Sequence, residues 1–164
     1  MLLGQVRLEI VSDGTFWLDG GAHFGVVPRP LWEEIIAPDD LNRVPMALNC
    51  LLIESQGKII LVDTGVGDKL SAKRKEILHL ERQKGLVESL KDKGVEPQEV
   101  AVVINTHLHA DHCGGNTRED LGRAIPTFPQ ADYWVQEEEW EAAQHPNERT
   151  RAAYLPENFD PLQE

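Results

Sequence analysis

The stretch Val100-Ala101-Val102-Val103-Ile104-Asn105-Thr106-His107-Leu108-His109-Ala110-Asp111-His112-Cys113-Gly114-Gly115 decides how the rest of the chain is read. Its first five residues are apolar, uncharged and mostly β-branched, the composition of a short buried strand. Three histidines and an aspartate then fall within six residues. Side chains at i and i+2 of an extended segment point the same way, so His107 and His109 face one side together. A turn into helix after them swings Asp111 and His112 towards a nearby point. Neutral imidazole and carboxylate are ligands that Zn2+, Mn2+ and Fe2+ accept. Gly114-Gly115 permits the backbone angles of a tight ligand loop. A histidine-rich surface turn would not need a buried strand to deliver it. The reading is a metal site made by His107, His109, Asp111 and His112.

This run resembles the His-x-His-x-Asp-His signature of the metallo-β-lactamase superfamily. Gly21-Ala22-His23-Phe24-Gly25-Val26-Val27-Pro28, Asn42-Arg43, Leu61-Val62-Asp63-Thr64-Gly65 and Trp140 are similar to the branch holding N-acyl-homoserine lactonases and methyl-parathion-hydrolase-like enzymes. The resemblance implies an α/β chain with the four-layer αββα sandwich, built from two similar halves. Residues 1–164 would supply the N-terminal half and the start of the second, as a single, C-terminally truncated domain. It also implies a hydrolase that turns a metal-activated water on a lactone, an ester or a phosphotriester.

Two Zn2+ ions are expected with it, Mn2+ or Fe2+ being the other candidates. His107 and His109 are then ligands of the first ion, and Asp111 and His112 of the second. Asp111 is also the catalytic group, orienting the attacking water or accepting its proton. Asp63 matches the residue that holds ligands in orientation by hydrogen bonding, and Phe24 lies on the substrate side. Cys113 has no ligand role in the pattern. The family draws a further His, a bridging Asp and a last His from downstream sequence; after His112 the only histidine here is His145, outside those motifs. Half a ligand set binds metal weakly, and an open sandwich face leaves apolar surface that needs cover. Two other readings therefore stand beside the lactonase. One is an iron-dependent thiol-ester hydrolase, dioxygenase or redox enzyme on the same fold. The other is an inactive half-domain that self-associates, and a homo-oligomer is expected.

Composition sets broad limits. A chain of 164 residues with 41% hydrophobic and 27% charged residues fits one globular domain. Its net charge of −12 argues against nucleic acid and against an anionic membrane surface, since both need clustered Lys and Arg. A neutral or weakly charged small-molecule substrate suits it better. Two cysteines imply no disulfide framework. The N-terminus lacks a basic segment followed by a long apolar core, and no apolar run reaches the ~20 residues of a membrane span. A cytoplasmic location is the default expectation.

Along the chain, Val6 to Ile10 alternates as a half-buried strand, and Asp13-Gly14 reads as a turn with Thr15 to Leu18 returning in a hairpin. The Gly- and Pro-rich segment from Gly20 to Pro30 is either a surface connection or the border of an active-site mouth. Leu48 to Ile53 and Lys58 to Val62 form a second hairpin, turning near Gln56-Gly57. From Ser71 to Gly94 the spacing of Leu86, Val87 and Leu90 predicts a helical region closed by Gly94. Lys73-Arg74-Lys75 there reads as a solvated helix face, and His79 as structural. Asp132 to Val135 predicts a strand and Gln136 to Ala143 a helix, with Trp140 packing. His23 and His145 are loop residues.

Overall fold

The computed structural model describes residues 1–163. The chain begins with β1 (Leu2–Leu3) and the long β2 (Val6–Asp19), followed by the short helices α1 (Gly20–Phe24) and α2 (Arg29–Trp32). Strands β3 (Arg43–Ser55) and β4 (Lys58–Val62) come next, then α3 (Ala72–Ile77) and α4 (Leu86–Lys91). Strand β5 (Val100–Ile104) delivers α5 (Ala110–Cys113) and a hairpin of β6 (Thr117–Asp120) and β7 (Arg123–Pro126). Strand β8 (Asp132–Trp134) and α6 (Glu137–Gln144) follow, and two 3-10 turns, Pro156–Asn158 and Asp160–Leu162, come after them.

One mixed sheet in the order β1-β2-β3-β4-β5-β8 carries the architecture. It is antiparallel through β4 and parallel from β4 to β5 and from β5 to β8. The β3–β4 hairpin turns at Gln56 and Gly57, both with positive φ (50° and 75°), the two-residue turn whose twist matches paired strands.

Two expectations need correction. Asp13-Gly14 is not a turn, because β2 runs on as one strand and pairs with β3 from Arg7↔Glu54 to Asp19↔Arg43. The register shifts between Ser12 and Thr15, so Asp13 and Gly14 form a bulge opposite Leu48. The bulge turns the Asp13 side chain inward, where Gly67 N–H (3.0 Å), Leu86 N–H (2.9 Å) and the Arg82 guanidinium (2.6 Å) donate to it. Gly14 has φ +112°, and a Cβ there would lie 2.7 Å from the Glu81 carbonyl, so the bulge requires glycine. The region 71–94 is likewise not one helix. It breaks after α3, where His79 has φ 42° and Glu81 exchanges backbone hydrogen bonds with Thr15.

The two sheet faces differ. Helix α4 lays Leu86 and Leu90 against Val11, Cys50, Leu52 and Leu61, together with Val100 of β5. Each such side chain, fully buried, contributes about 1.5–3 kcal/mol of transfer free energy. The opposite face carries Leu8, Ile10, Leu51, Ile53, Ile60 and Val62, which the pairing register aligns on one side. None of these is fully buried, and Ile10 is 59% exposed. One face of an apolar sheet is thus packed and the other is open. Among the described residues no helix is long and apolar enough to cross a membrane.

Candidate metal centre

The site sits where β4 and β5, parallel neighbours, both end. Strand β5 is anchored by Val100 and Val103, each with no exposed surface, so the residues after Ile104 leave the core at a fixed point. The chain bends at Thr106 and is extended at His109, and Leu108 points into a cluster with Cys113, Ala143, Tyr154 and Phe159. Its neighbours His107 and His109 consequently face the other way, with ring centroids 4.6 Å apart. Helix α5 then returns His112 to within 3.9 Å of the His107 ring. The three histidines and Asp111 predicted from spacing are therefore neighbours in space.

Asp63, at the end of β4, lies beneath them in the left-handed region (φ 59°). That conformation is uncommon for a residue with a side chain and clusters at functional sites. Its carboxylate accepts from Thr106 N–H (2.8 Å) and Thr106 Oγ1 (2.8 Å), and lies 2.9 Å from His112 Nδ1. On the other side, His112 Nε2 is 3.4 Å from Asp111 Oδ2. The Asp111 carboxylate first, and Asp63 second, hold the His112 imidazole in its cationic form up to about pH 9. Burial alone would raise Asp111, but the hydrogen bond and charge of His112 outweigh it and lower its pKa. His107 is pushed down, chiefly by burial and then by its two histidine neighbours. The surroundings of His112 are anionic and favour a bound cation.

Several supports were not legible in the motif. Asn116 donates to Asn105 Oδ1 (2.8 Å) and accepts from Thr64 Oγ1 (2.9 Å), tying the loop after α5 to both strand ends. Lys69 donates to the carbonyls of Gly114 and Thr117, each at 2.6 Å. Glu139 on α6 accepts from Leu108 N–H (2.8 Å), and the Tyr154 ring stands against His109 at 5.0 Å. These partners lie far away in sequence or carry no spacing signal. Cys113 is buried, its thiol 3.2 Å from the Leu108 carbonyl and pushed up to about 12 by burial, which suits packing and not ligation.

His109 and Asp111 line a cleft of about 490 Å3 whose other walls include Phe16, Leu18, Leu70 and Arg74. Phe24 is not among the lining residues. The short helix α1, capped by Asp19 at Ala22 N–H, stacks its ring on Trp32 with centroids 4.8 Å apart. His23 adjoins Phe24 and His145 ends α6, both apart from the cluster.

The fit of these residues to a metal ion is partial. Imidazole and carboxylate are suitable donors, and the 3.4 Å between His112 Nε2 and Asp111 Oδ2 is about the edge of a tetrahedron with ~2.0–2.2 Å bonds. Among the described residues, however, no three His, Cys, Asp or Glu side chains are grouped to hold one ion as they stand. The chain presents a coordinating edge with further histidines beside it, not a closed site.

Known proteins are similar to this chain in sequence and in fold. The chain is 32% identical over 133 residues to an N-acyl homoserine lactonase of a Bacillus species, covering 74% of this chain and 48% of that protein. It is 30% identical over 162 residues to an N-acyl homoserine lactonase of Bacillus cereus, covering 92% and 56%. Among solved structures, a probable metal-dependent hydrolase from Staphylococcus aureus superposes with a TM-score of 0.88 at 30% identity, covering 96% of this chain and 56% of that one. The chain thus spans about half the length of the relatives it matches. The profile of the Metallo-beta-lactamase superfamily matches residues 43–156, from the start of β3 to beyond the histidine cluster, and the chain belongs to that superfamily.

Proposed function

We propose that this chain is the part of a metal-dependent hydrolase that supplies its first ligands and a wall of its substrate cleft, and that the hydrolase opens a lactone ring. The observation that carries this reading is the opening of His109 and Asp111 into an apolar cleft of about 490 Å3, a size suited to a small organic substrate. The two lactonase relatives support the choice of lactone among hydrolysable bonds.

His107 and His109 would hold one cation, and Asp111 with His112 a second, zinc being the ion these donors suit best. Bound there, the metal supplies an acidified water and polarises the substrate carbonyl. The chain's own residues set the rest. Asp63 keeps His112 Nδ1 engaged, leaving Nε2 turned towards Asp111. Asp111 would take a proton released from water at the cleft through the carboxylate oxygen that the metal leaves free. The side chains of Phe16, Leu18 and Leu70 exclude solvent around the apolar part of the substrate. The open sheet face supports self-association of the chain as well.

The test is metal content by elemental analysis after dialysis, followed by hydrolysis assays of N-acyl homoserine lactones, a phosphotriester and a β-lactam. With zinc supplied in the assay buffer, the expected result is little zinc held through dialysis, as half a ligand set implies, and preference for lactones. A zinc-loaded protein that turns over the phosphotriester or the β-lactam and no lactone would refute the reading.

A further inference from the structure

The basic run on α3 has a second aspect in the folded chain. Arg74 turns towards the cleft that His109 and Asp111 line, and it also borders an adjoining groove of about 370 Å3 with Lys69 and Ser71. Among the described residues its guanidinium makes no hydrogen bond or ion pair; only its backbone is engaged, the N–H with the Ser71 hydroxyl at the start of α3 and the carbonyl with Leu78 N–H. Arg43, Arg82 and Arg29 are by contrast paired, with Asp39, Asp13 and Glu33 respectively. The acids bordering the two grooves, Asp111 and Glu157, form no ion pair with Arg74. Among the described residues Arg74 thus has no partner acid, and it stands on the wall of the proposed substrate cleft in a chain of net charge −12.

The chemistry of the cleft is therefore bipolar. Its polar functions are the His109–Asp111 wall and the Arg74 wall, with the apolar side chains of Phe16, Leu18, Leu70 and Ile77 also lining it. A ligand satisfying it has a reactive group at one end, an apolar body and an acceptor that a planar guanidinium can bind at the other. Guanidinium and carboxylate match as a two-bond fork, and the charge strengthens both bonds.

We propose that Arg74 is a specificity-determining residue that selects substrates carrying a carboxylate on an apolar tail, away from the bond to be cleaved. This rests on the reading of the cleft as a substrate site and narrows its substrate class from lactones in general to acidic ones. Local charge at the cleft overrides the inference of a neutral substrate drawn from net charge.

The test uses the metal-free chain, so that no metal ion competes for the carboxylate. Octanoate and octanamide, equal in length and differing in charge, are titrated by calorimetry at low ionic strength. Octanoate is expected to bind roughly tenfold more tightly, the scale of one charge-assisted contact. Arg74→Gln removes that preference and leaves octanamide binding unchanged, whereas Lys73→Gln, which deletes the same charge one residue away, keeps it. Equal binding of the two probes, a preference that survives in Arg74→Gln, or one lost equally in Lys73→Gln overturns the proposal. The readout needs no turnover. A chain that selects octanoate through Arg74 yet, when zinc-loaded, turns over the phosphotriester or the β-lactam and no lactone refutes the lactonase reading and leaves the assignment of Arg74 standing.

Discussion

The Asp63 carboxylate, at the end of one strand, lies 2.9 Å from Nδ1 of His112, which helix α5 supplies 49 residues later. The carboxylate accepts a hydrogen bond from Nδ1–H, so the proton that a metal would displace is the one on Nε2. Asp63→Asn can place its amide N–H against Nδ1 instead, moving the imidazole proton to Nε2, the wrong tautomer for ligation. Zinc affinity is expected to fall about 10–100-fold, measured by competition with a chelator, with the circular dichroism spectrum unchanged. Undiminished affinity would remove Asp63 from the site.

Asp13 joins three segments through Arg82, Gly67 and Leu86 while itself only 1% exposed. Burial pushes its pKa up in spite of the facing guanidinium and the two N–H donors. Asp13→Ala leaves those donors without an acceptor and is expected to lower the unfolding free energy by about 3–5 kcal/mol in a denaturant titration. The double replacement Asp13→Ala with Arg82→Met should cost less than the sum of the single changes, because the stranded cation is gone.

Lys69 is held between two carbonyls, and burial lowers its pKa from 10.5 to about 8. The unfolded chain binds this proton more tightly than the folded one across that interval. Stability therefore rises with pH from about 8 to 10.5 on account of Lys69, and the contribution disappears as pH falls through 8. Subtracting the profile of Lys69→Met from that of the parent chain should isolate this rise. A flat difference between pH 8 and 10.5 would contradict it.

Ile53 and Ile60 face each other across β3 and β4 on the open side of the sheet. An apolar face of this kind recruits another surface or a hydrophobic dye. Replacing both with Thr keeps strand propensity while removing apolar area. The expected outcome is weaker dye fluorescence and a shift to smaller species in sedimentation velocity.

Local chemistry made the centre of the fold legible. Val100 to Ile104 suited a buried strand by its length and β-branched residues, the alternation of His107 and His109 around Leu108 fixed which side they face, and Gln56-Gly57 carried its own turn signal. Asp13-Gly14 misled because its turn chemistry serves a bulge, and the partner that decides between the two, Arg82, is 69 residues away. The break after α3 has the same origin, since Glu81 leaves helical geometry to pair with Thr15. The turn at Leu121 and Gly122 joining β6 to β7 went unrecognised because a leucine with φ 48° stands where a polar turn residue is usual. Pairwise spacing revealed the histidines; the buried amides, Lys69 and Tyr154 depend on contacts that no local pattern encodes.

The ligand loop and the loop after β4 meet backbone to backbone. A Cβ on Gly114 would stand 2.3 Å from the Val66 carbonyl, and one on Gly67 would stand 2.4 Å from the carbonyl of Gly114. Neither loop can accept a side chain there unless the other retreats, so single substitutions that reshape the floor of the site are barred. Descent with modification must then act elsewhere. The walls, α3 above all, present Arg74 and Ile77 on a short exposed helix where residues can be exchanged one at a time. New substrate preferences in this lineage would arise by repainting a wall over a floor inherited whole.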